Sequence, residues 1–288
     1  TSAFAQSSVT IYGRLNLTIE RQKPASDESN WVMQNNSSRW GLKGVEDLGG
    51  GLKAGFQLES GFNPANGTAA TRFFGRQGEV YLGGGFGTVR LGNFTSEAYY
   101  ATADYVSMHN HDTGTSADAF YADTRGFDQI NKIAYRLPTF GGVTVEVATN
   151  TTDAGEADRT GEIAANYNSG PLHLGAGYQK TGDLNQFAFR GLYELGAFTL
   201  GGYVQRDKNV YGAGSRTTYR LAGMYTLGNT ELHANYGRAG KYSDEPGTKA
   251  ANQYTLGLNY NLSKRTKVYT FVTKINDDSA TYTGDFQS

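Results

Sequence analysis

The chain has no cysteine among its 288 residues, which excludes a disulfide scaffold, a Cys-ligated metal site and thiol catalysis. Proline is scarce, with five in all, so little interrupts a strand ladder. No stretch approaches the ~18 consecutive apolar residues of a membrane helix, so an α-helical membrane protein is excluded. A basic excess is also missing: Lys+Arg total 26 against 27 Asp+Glu, for a net charge of −1. That balance gives no support to nucleic-acid binding. Only 38% of the residues are hydrophobic and the mean hydropathy is −0.52. A soluble protein has such an average, and so does a transmembrane barrel in which every second residue faces a polar lumen.

Glycine (39) and tyrosine (20), by contrast, are abundant. The segment Gly44 to Ala54 reads as a strand end, an acidic glycine-rich tight turn and a strand start, since glycine supplies the positive φ that a short turn needs. Around it apolar and polar residues alternate, with Trp40 and Leu42 before and Leu52, Ala54, Phe56 and Leu58 after. A period of two gives each strand one apolar and one polar face. The same period predicts strands near 8–20, 37–46, 52–60, 76–83, 86–93, 130–138, 142–150, 161–168, 172–181, 186–194, 197–206, 217–227, 230–239, 252–262 and 266–275. Short turns (47–51, 84–85, 138–141, 169–171, 195–196, 228–229, 263–265) alternate with longer connections (21–36, 61–74, 94–129, 151–160, 182–185, 207–216, 240–251). Short turns on one rim and long loops on the other point to an all-β, transmembrane antiparallel β-barrel, with strands near the ~9–11 residues that cross a bilayer at a tilt. Tyr178, Tyr193, Tyr225 and Tyr260 near strand ends fit its interfacial girdles.

Residues 94–129 break the alternation. They hold a short helix at Glu97 to Val106 and the acids Glu97, Asp104, Asp112, Asp118, Asp123 and Asp128; a long loop of this kind is usually functional. At the start, Ala3-Phe4-Ala5-Gln6 matches the tail of a secretory signal peptide. Residues 1–5 are therefore expected to be an export remnant outside a single barrel domain, 6–288.

Four stretches carry a resemblance. They are Ser8 to Gly13, Ser38 to Gly44 with Glu46 to Leu58, Gly84 to Gly92, and Tyr260 to Thr266. In this order the chain resembles a Gram-negative general porin of the betaproteobacterial type. The resemblance implies sixteen strands, a homotrimer in the outer membrane reached through the periplasm, contact with lipid and lipopolysaccharide, and a third long loop, here 94–129, folded into the pore. Fifteen strands are visible. The family's closing strand, with its terminal aromatic, is expected to be missing from this sequence. The resemblance also gives Arg39 and Arg76 places in the wall of the constriction.

With the apolar face toward lipid, the other face carries Arg14, Lys43, Lys53, Arg90, Lys132, Arg136, Arg190 and Arg220 against Glu20, Glu59, Glu79 and Glu146. The expected basic wall is Arg14, Arg39, Lys43, Arg76, Arg90, Lys132 and Arg136, opposed by the loop acids Glu97, Asp104, Asp112, Asp118 and Asp123. Rings of Arg and Lys favour anions, so the expectation is passive diffusion of small hydrophilic solutes and ions with a weak to moderate anion preference. Two other readings stay open: these charges are merely solvated wall and only the bore matters, or the channel is specific for an anionic or sugar solute. No cofactor and no enzyme activity are expected, because no nucleophile, base and orienting group present themselves as a set. His109 and His111 beside Asp112 lack a third placed ligand and are not read as a metal site. His173 and His233 are expected on the polar face.

Overall fold

The computed structural model describes residues 8–23, 28–104, 106, 108, 119–125, 130–151 and 158–277. The first strands are β1 (Ser8–Arg14), β2 (Leu17–Gln22), β3 (Asn30–Asn35), β4 (Arg39–Gly49), β5 (Leu52–Asn63) and β6 (Thr68–Ala69). Then come β7 (Gln77–Gly84), β8 (Gly87–Asn93), β9 (Lys132–Arg136), β10 (Val143–Asn150), β11 (Thr160–Ser169) and β12 (Leu172–Thr181). The last are β13 (Leu184–Leu195), β14 (Phe198–Lys208), β15 (Ser215–Leu227), β16 (Thr230–Ala239), β17 (Ala251–Asn261) and β18 (Lys267–Asn276). One helical turn, Glu97–Tyr99, runs on as a π-helical turn, Tyr100–Asp104.

Fifteen strands follow one path, β1-β4-β5-β7 and then β8 to β18 in chain order, with β6 paired to β5 as the sixteenth member of the sheet. The expected first strand, 8–20, is broken. Asn16 donates its N–H to Ser38 Oγ (2.9 Å), and that hydroxyl returns a bond to Asn16 O (3.2 Å). A side chain thus replaces the ladder partner, and the rest of the expected strand becomes β2 of a separate hairpin whose second strand, β3, lies inside what sequence reads as a loop. The β4–β5 turn is as expected: Gly49, Gly50 and Gly51 have φ of 82°, 61° and 82°, a run of left-handed residues that only glycine adopts without strain.

The chain divides into two compact bodies, residues 1–96 with 125–163 and residues 97–124 with 164–288. In the first, the apolar parity points outward, with Val9 66% and Ile11 77% exposed, while Glu59, Glu79, Lys132, Glu146 and Glu162 are buried. In the second, Leu221 and Leu256 are exposed and Gln179, Gln186, Arg190, Gln205, Arg220, Gln253 and Asn259 are buried. A soluble sheet protein buries the other parity. This inversion suits hydrocarbon outside and polar groups inside.

Candidate functional site

In the first body the sheet register brings the predicted cations onto one face. Arg14 stands opposite Arg39, and Thr10 opposite Lys43. Tyr81 stands opposite Arg90, Thr88 opposite Arg136, and Gly92 opposite Lys132. Strand alternation alone therefore gathers side chains from five strands.

The cations converge on glutamates. Arg76 Nε donates to Glu59 Oε1 at 2.7 Å, and Arg39 Nε lies 3.7 Å from the same oxygen. Arg90 bridges two carboxylates, with Nε 2.8 Å from Glu79 Oε2 and Nη1 3.0 Å from Glu146 Oε2. Arg136 reaches Glu146 Oε2 at 2.8 Å. Lys132 and Glu162, both buried, pair at 2.5 Å. Phe94, at the entry to the long loop, lies under two of these cations, 4.1 Å from the Arg90 guanidinium and 4.9 Å from Lys132 Nζ. Arg14 donates to Asn36 O at 3.0 Å. Lys43 sits 5.4 Å from the Tyr12 ring, whose hydroxyl accepts a bond from Gln57 at 2.7 Å.

All seven predicted wall cations thus share a face, but five of them, Arg39, Arg76, Arg90, Lys132 and Arg136, are interlocked with four glutamates rather than bare. Two arginines share Glu59 and two share Glu146. Seven cations against Glu59, Glu79, Glu146 and Glu162 leave the face net positive; Lys53 stands opposite Asp47 beside the turn. Glu162 was not among the acids expected here. Glu20 lies in the separate hairpin, where Thr18 and Gln22 bond it.

In the second body the long loop packs on the buried face of β12–β14. Ala98, Ala101 and Ala103 of its helical turns are fully buried. Opposite them stand Gly175 and Gly177 of β12, where an added Cβ would collide with Ala101 O and Ala98 O respectively. The loop is then tied down by glutamines. Gln205 Nε2 donates to Ala122 O and Gln205 Oε1 accepts from Ala122 N, both at 2.8 Å. Gln179 Oε1 accepts from Thr124 N at 2.9 Å. Gln186 donates to the Tyr121 hydroxyl at 3.0 Å, and Thr102 does so at 3.2 Å. Burial pushes the Tyr121 phenol well above its ordinary value.

Of the loop acids, Glu97 accepts a long bond from Asn166 (3.5 Å) and Asp104 one from the Tyr99 hydroxyl (3.4 Å). Asp123 is buried. Asp112, Asp118 and Asp128, with His109 and His111, lie outside the described residues. His233 is buried against Asn259 (3.1 Å), and His173 bonds Asn168 at 2.7 Å.

Three features escaped the sequence. The glutamine tethers carry no charge and no motif; their signal is position, at the buried parity of three neighbouring strands. Asp207 and Arg216 were read as loop residues, whereas β14 and β15 extend to pair them in register. Their fully buried ion pair (2.9 Å), joined by the Tyr242 hydroxyl donating to Asp207 Oδ2 (2.6 Å), is what lengthens the strands. Burial pushes the Tyr242 phenol up, against the pull of the Arg216 guanidinium. The third is how Arg220, which periodicity placed on the polar face, is held: it is buried and donates to two neutral amides, Asn235 Oδ1 at 2.6 Å and Gln253 Oε1 at 2.7 Å.

Sheets whose apolar parity faces outward, a charged interlocked polar face in one body and a long loop packed on the polar face of the other are the parts of an outer-membrane channel of the β type. The chain belongs to the Gram-negative porin family, whose model matches residues 1–280. Outer membrane porin protein 32 of Delftia acidovorans is 32% identical, over 93% of this chain and 84% of its own length. Among solved structures, an anion-selective porin from Comamonas acidovorans superposes with a TM-score of 0.79 at 28% identity, covering 96% of this chain and 90% of that one. The trimer form of Vibrio cholerae OmpT gives 0.73 at 16% identity, covering 94% and 89%, a likeness of fold alone. The fold is thus the antiparallel β-barrel of porins, and the protein is a porin of the outer membrane.

Proposed function

We propose that the chain forms a passive diffusion pore that prefers small anions. The observation that carries this is the sharing of Glu59 and of Glu146 by two arginines each. It leaves Arg14, Arg39, Lys43, Arg76, Arg90, Lys132 and Arg136 in surplus over the glutamates beside them, and a wall of net positive charge raises the local concentration of anions. The glutamates, together with Glu97, Asp104 and Asp123 of the loop, keep the preference moderate. The similar Comamonas structure is described as anion-selective, which agrees with this reading. The working unit is a homotrimer embedded in lipid, and its task is permeation, not catalysis.

The test is the zero-current potential of the reconstituted channel across a KCl gradient. Anion preference is the expected result. Cation preference, or none, overturns the basic wall as the determinant. Saturable, solute-blocked conductance would replace general diffusion with a channel specific for one solute.

A further inference from the structure

One buried cation beneath the long loop has no carboxylate. Arg216, Thr218 and Arg220 stand two residues apart on the inward face of β15, each no more than 1% exposed. Arg216 is paired with Asp207, whose other oxygen takes the Tyr242 hydroxyl. That acid is therefore spent, and two arginines stand against one aspartate. Among the described residues Arg220 makes no ion pair; Nη1 and Nη2 donate to the amide oxygens of Asn235 and Gln253. Its Nε–H has no acceptor, and the Thr218 hydroxyl has no partner. A charge taken out of water without a counter-charge is the costliest kind of burial, and arginine cannot relieve it by losing its proton.

The two unused donors lie on the same side. Register sets Ala222 against Asn235, Arg220 against Gly237 and Thr218 against Ala239. Asn235 is thus on the short-turn side of Arg220, and Thr218 on the long-loop side. In the planar guanidinium fork Nη1 and the Nε–H occupy opposite edges. With Nη1 committed to Asn235, the Nε–H edge is turned toward Thr218. Alternate residues of a strand are ~6.6 Å apart, so one small ion between the two side chains can take both hydrogens. Gly237 makes the room, since an added Cβ there would fall 2.7 Å from Arg220 Cζ. The remaining walls are apolar, with Ala239, Ala251 and the loop's Phe120 in one buried cluster. The Phe120 ring lies 5.8 Å from the Arg220 guanidinium.

We propose that Arg220 Nε and the Thr218 hydroxyl hold a small monovalent anion of the halide class, chloride foremost, as a structural counter-ion under the long loop. A halide is a single acceptor and is content with two donors among apolar walls. A phosphate or sulfate would bring further oxygens that these walls leave unpaired, at the cost of burying them. The ion neutralises the surplus charge and gives both orphaned hydrogens an acceptor. Because Phe120 closes the site from the loop side, ion binding and loop docking are linked, each strengthening the other by the same factor. Arg220 and Thr218 are shut off from solvent, so this ion belongs to the fold and is not one of those that permeate. The site therefore stands or falls apart from the pore's anion preference.

The test uses the full chain folded in detergent. Crystals grown in sodium bromide are expected to show an anomalous peak in contact with Arg220 Nε and Thr218 Oγ1. In solution, the wild-type melting temperature is expected to be higher in NaCl or NaBr than in sodium gluconate of equal ionic strength. It should climb with the logarithm of halide concentration, and protease cleavage within residues 97–124 should slow in parallel. Arg220→Met is expected to abolish the halide-specific part of both effects, and Thr218→Val to weaken it while leaving the zero-current potential in a KCl gradient unchanged. Should Arg220→Met fail to fold, Thr218→Val, which removes a hydroxyl at nearly constant volume, is read alone beside the wild-type bromide map. Absence of the anomalous peak, with water or a carboxylate of the chain at that position, overturns the proposal. Equal halide-specific shifts in wild type and variants overturn it as well.

Discussion

Gln205 binds Ala122 as a neighbouring strand would, its amide N–H donating to Ala122 O and its amide oxygen accepting Ala122 N–H, both at 2.8 Å. One wall side chain thereby satisfies both backbone groups of a fully buried loop residue. Gln205→Leu strips both bonds. An unsatisfied buried backbone group costs about 1–3 kcal/mol, so the loop's docked state is destabilised while the strand ladder stays intact. Expected are noisier single-channel currents and faster protease cleavage within residues 97–124, at unchanged strand content by circular dichroism. Quiet currents and a protected loop would show that Gln205 is not a tether.

The bed under the loop makes a second prediction. Gly175 and Gly177 leave room for Ala101 and Ala98, and a β-branched side chain at either position meets loop backbone rather than a flexible side-chain end. Gly177→Val is expected to lift the helical turns off β12 and raise unit conductance, because the wall itself is not displaced. Gly191→Val, on β13 where an added Cβ meets only a leucine methyl at 3.9 Å, serves as the control. Equal conductance of the two variants would argue that the loop does not rest on this glycine pair.

The parts legible in the sequence are those set by periodicity. Val9, Ile11 and Thr10, Tyr12 announce their faces because neighbours on a strand point opposite ways, and the fifteen-strand path followed from that alone. Arg90, Lys132 and Arg136 were legible as one face for the same reason, whereas Arg39 and Arg76 were placed only by the resemblance. Their neutralisation was not, because the Arg90–Glu146 contact joins residues 56 apart and depends on register across β8, β9 and β10. The break at Asn16 hangs on Ser38, and the strand ends at Asp207 and Arg216 hang on each other. Long-range side-chain bonds of this kind leave no local pattern.

Selectivity is expected to respond to the shared glutamates in opposite directions from their arginines. Glu59→Gln frees Arg39 and Arg76 from one negative charge, and anion preference in a KCl gradient is expected to rise. Arg76→Gln is expected to lower it. Glu146→Gln is different in kind. Its carboxylate is almost wholly buried with Arg90 and Arg136 upon it, and removing one partner of a buried pair costs about 3–5 kcal/mol. That variant should lose thermal stability first. A selectivity shift of the same sign for Glu59→Gln and Arg76→Gln would contradict the electrostatic account.

Alkaline pH should weaken the loop packing. Burial holds the Tyr121 and Tyr242 phenols above their ordinary value in the folded protein, whereas an unfolded chain's tyrosines ionise near pH ~10. The neutral phenols' contribution is therefore complete below pH ~10 and is lost as pH rises from there toward their folded-state values, since the unfolded state then holds fewer protons. Melting temperatures measured from pH 8 to 11.5 are expected to fall at the alkaline end, less steeply in the Tyr121→Phe/Tyr242→Phe double variant. An identical slope in that variant would remove these phenols as the cause.

The inverted polarity of the sheet can be tested directly because the chain contains no native cysteine. Single substitutions at adjacent positions, Gln57→Cys with Leu58→Cys and Thr255→Cys with Leu256→Cys, sample both faces of β5 and β17. In proteoliposomes, a membrane-impermeant, water-soluble thiol reagent is predicted to label Gln57→Cys and Thr255→Cys and to spare Leu58→Cys and Leu256→Cys. Labelling of the leucine positions with protection of the polar ones would contradict the assignment of lipid to one face and water to the other.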